Sequence, residues 1–81
     1  MKKYLRLTIG PTTATDNIYV GKIHQSIEWV DNRKDATDDY RPTIEDTQRK
    51  LKDEFGLQTT LEEVTDARHM QSKWVICRED E

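Results

Sequence analysis

One cysteine, Cys77, is too few for a disulfide within this chain, which suits a reducing compartment. Long apolar runs are missing as well. No stretch reaches the 18 apolar residues that a membrane-spanning helix needs. The start Met1-Lys2-Lys3-Tyr4-Leu5-Arg6 is basic, but the polar residues from Thr8 to Asn17 supply no apolar signal-peptide region. The expected location is therefore cytoplasmic, in the chain's own cell or in a host. Glycine is scarce, with three residues, and no Gly-Lys-Ser/Thr follows Gly10. The phosphate cradle of a nucleotide-binding loop is absent.

Large apolar residues are few. Leu, Ile, Val and Phe together number 16 of 81, close to the composition at which chains stop folding. The net charge of −3 opposes disorder, because disorder pairs low hydrophobicity with high net charge. One folded domain with a thin core is expected. Such a domain gains stability by dimerising or by binding a larger partner. Sixteen acids against 13 bases is not the basic balance of a general DNA binder. A DNA mimic would be far more acidic.

What is present centres on residues 42–55. Pro42 suits a first helical turn, since its fixed φ is helical and its missing N–H would have no partner there. Thr43 is an alternative N-cap, with Asp46 three residues on. Ile44, Thr47, Leu51 and Phe55 recur at spacings of three and four and make one narrow stripe. Leu51 and Phe55 are expected to turn inwards. Glu45 with Arg49 and Asp46 with Lys50 place acid four residues before base, each pair worth about 0.2–0.5 kcal/mol. Gly56 fits the left-handed residue that ends a helix.

Strands are expected around this helix. Leu5, Leu7 and Ile9 alternate with Tyr4, Arg6 and Thr8, the pattern of a half-buried strand. Gly10-Pro11 ends it. Ile18 to Val30 fits a two-residue period and also a helical one. Its β-branched and aromatic content favours a strand, bent or bulged near Gly21, or else a hairpin. Asp31 to Tyr40 reads as a solvated loop, without the glycine and acid that a calcium loop requires. Leu57 to Val64 reads as a strand, although Thr60 with Glu63 is also a capping box that would open a second helix and a helix-turn-helix. Thr65 to His69 reads as a turn, Ser72 to Arg78 as a strand, and Arg78 to Glu81 as a frayed acidic end. The expected fold is α+β: a small antiparallel sheet of about four strands with one amphipathic helix on one face.

No motif for chemistry emerges. Cys77 follows Trp-Val-Ile in an expected buried strand and reads as a structural thiol rather than a nucleophile partnered by His24 or His69. Two histidines 45 positions apart, one cysteine and scattered acids do not form a metal pattern. No cofactor is expected. The acidic doublets, such as Glu62-Glu63, point to opposite sides of a strand and make no catalytic dyad.

The leading expectation is a non-enzymatic accessory or regulatory protein that binds another protein. Small inhibitors encoded by phages and mobile elements share this profile. Trp29, Trp74, Tyr40 and Arg49 are the candidate contacts, since partly exposed aromatics and arginine anchor interfaces. The alternative is a nucleic-acid-binding module. Tyr4 and Arg6 beside Lys73 would give single-stranded bases an aromatic, basic platform if the first and last strands are neighbours.

Overall fold

Pro42 and Gly56 bracket the helix as their chemistry requires. In the computed structural model, which describes residues 1–9, 17–64 and 72–79, helix α1 runs Arg41–Phe55. Pro42 lies in its first turn and Tyr40 stands at the N-cap without a side-chain bond, so Thr43 is helical and not the cap. Gly56 has φ 66° and ψ 22°. Its N–H bonds the Lys52 carbonyl at 2.9 Å, and the Leu57 N–H bonds that of Leu51 at 3.3 Å. The left-handed residue thereby satisfies carbonyls that the helix end would leave orphaned.

Five strands surround the helix: β1 Lys2–Ile9, β2 Asn17–Val20, β3 Ile23–Val30, β4 Thr60–Val64 and β5 Lys73–Glu79. They form one antiparallel sheet in the order β2-β3-β1-β5-β4. The α+β expectation holds, with five strands in place of about four. The difference lies between Ile18 and Val30, which folds as two strands and not one bent strand. Gly21 and Lys22 both have positive φ, 62° and 67°. That pair of left-handed residues makes the tight hairpin whose twist matches its flanking strands. Thr60–Val64 is a strand paired with β5, so no helix-turn-helix opens at Thr60.

The register divides the sheet into two faces. Leu5 lies opposite Trp29, Leu7 opposite Ile27, Ile18 opposite Gln25 and Leu61 opposite Ile76. These residues look towards the helix. Leu5, Ile18, Val20 and Ile76 bury against Ile44 and Leu51 as the core. Thr47, also buried, turns its hydroxyl back to the Thr43 carbonyl at 3.2 Å, which satisfies a polar group inside the stripe. Phe55 departs from the expectation: it is 36 % exposed while Leu51 is fully covered.

The connection from β3 to α1 is more than a solvated loop. β1 and β5 pair only from Lys2–Glu79 to Tyr4–Cys77, and then separate. Residues 37–39 enter the gap. The Thr37 N–H bonds the Leu5 carbonyl at 3.0 Å, and the Leu7 N–H bonds the Thr37 hydroxyl at 2.8 Å. Asp39 exchanges backbone bonds of 3.1 and 2.8 Å with Trp74. Both freed strand edges regain partners, as buried backbone must. A 3-10 turn at Arg33–Asp35, capped by Asn32, leads into this wedge.

Candidate functional site

The two tryptophans lie on the helix side of the sheet, each under an arginine. Trp74 opposes Glu63 on β4, and the Arg41 guanidinium sits 4.3 Å from its ring centre. Trp29 opposes Leu5 on β1. Arg78 reaches over from β5 and places its guanidinium 4.4 Å from the Trp29 ring centre. Cation–π contacts of this kind are worth about 0.5–2 kcal/mol, rising as water is excluded. Both rings are partly buried, so neither stands out as a bare exposed anchor.

Around Trp29 the helix end and its exit build a recess. Phe55 projects from the last turn of α1, and Leu57 follows the left-handed Gly56. With Ile27, Trp29 and Arg78 they line a cavity of about 270 Å³. Its walls are apolar apart from one guanidinium. The Arg78 Nε atom is buried and finds no acceptor among the described residues.

Leu57 also borders a second, larger hollow. This groove, about 630 Å³, runs between the flank of α1 and residues 57–59. Arg41, Arg49 and Lys52 line it together with the single carboxylate of Glu45. Arg41 is held by Glu45, and Arg49 lies 3.4 Å from Asp46. Lys52 makes no ion pair among the described residues. In the groove wall Gln48 donates to the Thr59 carbonyl at 2.9 Å, while the buried Thr59 Oγ1 has no partner. These two orphaned atoms, Arg78 Nε and Thr59 Oγ1, are the buried unpartnered side-chain atoms among the described residues, and they belong to residues that line the recess and the groove respectively. Such atoms in a native fold call for an explanation. No family model, no curated protein and no solved structure matches the chain.

The four residues expected to touch a protein are strung along this side. Trp29 floors the apolar recess and Arg49 lines the groove. Trp74 lies under Arg41 at the groove's far end. Tyr40, 41 % exposed, sits just before the helix, with the Lys73 ammonium 5.5 Å from its ring centre. Sequence reasoning missed Phe55, Leu57 and Arg78 as contacts. Phe55 continues the stripe of Leu51 and reads as core; Arg78 belongs to what reads as a frayed end.

The far face carries the candidate nucleic-acid residues. β1 and β5 are neighbours, and Tyr4, Arg6 and Lys73 lie on this one face. They do not form an open platform. The strands have parted before Arg6 and Lys73 could face each other. Tyr4 gives its hydroxyl to Glu62, and Lys2 bonds the same carboxylate at 2.7 Å. Arg33 approaches to 3.9 Å. The Lys2 bond first, and its charge, hold the Glu62 carboxyl below its ordinary range. Glu62 in turn raises the Lys2 ammonium. Tyr4 is raised by burial first and then by the Glu62 charge.

The catalytic candidates do not converge. Cys77 is buried, with its Sγ 3.0 Å from the Thr60 hydroxyl. His24 lies in the β2–β3 hairpin with its ring 4.6 Å from that of Tyr19. His69 and the expected turn around it fall outside the described residues. Among the described residues no three His, Cys, Asp or Glu side chains cluster to hold a metal ion, and no helix is long and apolar enough to cross a membrane.

Proposed function

We propose that this chain is a small binding module that acts by docking on another protein, as an accessory or inhibitory subunit, without chemistry of its own. One observation carries the reading. Trp29, Phe55, Leu57, Ile27 and Arg78 gather into a single recess of about 270 Å³ at the end of the helix. Trp and Arg are the residue types that dominate interface energy when a partner seals them from water. Phe55 is large, apolar and more than a third exposed, in a chain with little apolar surface to spare. A phage-type inhibitor of a host protein is one kind of chain that works this way.

The nucleic-acid reading has less behind it. Glu62 occupies the Tyr4 hydroxyl and pairs with Lys2, which leaves less free positive charge for the phosphates that dominate such binding.

The test is affinity capture with the intact protein and with Phe55→Asp. Phe55 is outside the buried core, so the variant should fold, which circular dichroism checks. Wild type should retain a specific partner that Phe55→Asp loses. Identical sets of retained proteins, or no specific partner from any source tried, would defeat the reading.

A further inference from the structure

Leu57 lines both hollows, so the apolar recess and the cationic groove adjoin there and make a two-part channel beside α1. Its chemistry changes along its length. At the C-terminal end of the helix it is a socket of Phe55, Trp29 and Ile27. Towards the N-terminal end it passes Lys52, Arg49 and Arg41, with Glu45 alone of opposite sign. Three cations against one carboxylate stand out on a chain whose net charge is −3. Lys52 has no ion-pair partner among the described residues, and the Arg49–Asp46 contact at 3.4 Å is long. One unpaired lysine and two arginines, each met by a single exposed carboxylate, beside an apolar socket are complementary to an acidic ligand.

The length of the channel sets the size of that ligand. From Arg41 to Lys52 the helix rises about 16 Å, which an extended chain covers in about five residues. One further residue reaches the socket.

We infer that the channel seats an extended acidic segment of a partner protein, about six or seven residues long, with one bulky apolar side chain in the Phe55–Trp29–Leu57 socket and carboxylates against Lys52, Arg49 and Arg41. This rests on the binding reading above and adds the chemistry of the partner. Charge complementarity selects this occupant over a second copy of the chain, because the acidic edge strand a copy would offer, Thr60–Val64, already has Glu62 engaged by Lys2 and Glu63 by Ser72.

The experiment measures fluorescence anisotropy of labelled synthetic peptides on the full chain. The main probe carries one phenylalanine followed by five glutamates. One control replaces the glutamates by glutamine, and another replaces the phenylalanine by alanine. A six-nucleotide single-stranded DNA serves as an anionic rival. The main probe should bind, weaken several-fold as salt rises from about 50 to 200 mM, and weaken about tenfold with Lys52→Glu or Arg49→Glu. Phe55→Asp should remove the advantage over the alanine control. Thr8→Glu on the far face should change nothing. Equal binding of the glutamine control, or indifference to both charge reversals, overturns the inference. So does tighter binding of the DNA with the same dependence on Lys52, or a dimer in light scattering that Lys52→Glu dissolves. The two readings fail separately. A captured partner that is lost with Phe55→Asp but retained with Lys52→Glu ends the acidic-segment inference and leaves the binding module standing.

Discussion

The guanidinium of Arg78 rests 4.4 Å above the ring of Trp29 while its Nε goes unpaired. Two residues 49 positions apart thus share one wall of the recess. Removing the ring should loosen Arg78 and remove part of the recess floor. Trp29→Ala is expected to destabilise the fold by about 2–4 kcal/mol, at or below the low end for truncating a core aromatic because the ring is only partly buried. Arg78→Lys, which keeps the charge but loses the planar stacking group, should cost about 1 kcal/mol. Urea unfolding of both variants checks the order. An Arg78→Lys loss as large as that of Trp29→Ala would contradict it.

Leu51 and Phe55 share a stripe and should nonetheless differ sharply. Leu51 is fully buried in the core and Phe55 is not. Leu51→Ala is expected to cost about 2–5 kcal/mol, the range for emptying a core site. Phe55→Ala should cost less, about 1–2 kcal/mol, since 36 % of its surface stays in water on folding. Thermal and urea denaturation measure both.

Lys22 holds a left-handed backbone at φ 67° in the β2–β3 turn. A side chain there is strained by roughly 1 kcal/mol. Lys22→Gly should relieve that strain, offset in part by the freer unfolded chain, for a net gain of about 0.5 kcal/mol. Gly56→Ala should do the reverse at the helix end, where φ is 66°, and lose about 1 kcal/mol. Steric crowding does not confuse the result at Gly56, where an added Cβ would meet nothing within 4 Å.

Thr37 binds both the N–H and the carbonyl of Leu7 through its hydroxyl. Thr37→Val keeps the shape and leaves the Leu7 N–H without that acceptor. The expected loss is about 1–3 kcal/mol, the range for stranding a buried donor, towards the low end because the site is part-buried. Amide hydrogen exchange should speed up first at Leu7.

The Glu62 carboxyl lies below its ordinary 4.5, while Lys2 and Tyr4 lie above 10.5 and 10.0. The signs follow from proton linkage. Glu62 contributes stability that is complete above 4.5 and is lost as pH falls through its lower folded value. Lys2 and Tyr4 contribute stability that is complete below 10.5 and 10.0 and is lost as pH rises through their higher folded values. Glu62→Gln should flatten both limbs of a plot of urea midpoint against pH. An unchanged acid limb would show that other carboxylates set it.

Much of this was legible in the sequence, for local reasons. The helix could be placed because Pro42, the stripe and Gly56 all act within a turn of their neighbours. β1 and β5 could be placed because alternation is a property of consecutive residues. The hairpin at Gly21-Lys22 was legible only as an alternative to one strand, because a lysine takes a position that asparagine or glycine usually marks. Spacing told where Phe55 points but not whether anything covers it. The wedge of Thr37 and Asp39 and the reach of Arg78 to Trp29 join residues far apart in the chain, and no window of sequence contains them. The expected contacts Trp29 and Arg49 fall on the channel for the same limited reason: residue type suggested them, and topology brought them together with partners that type alone passed over.

The order of the sheet has a consequence for synthesis. β5, formed by residues 73–79, slots between β1 and β4 and also bonds the wedge. A nascent chain that has emerged only through Val64 therefore displays β4 with no strand beside it and a gap next to β1. β1, β2 and β3 can pair as they emerge, but β4 joins the sheet only when β5 is inserted, so a ribosome stalled before residue 73 would present a half-finished sheet to chaperones and proteases.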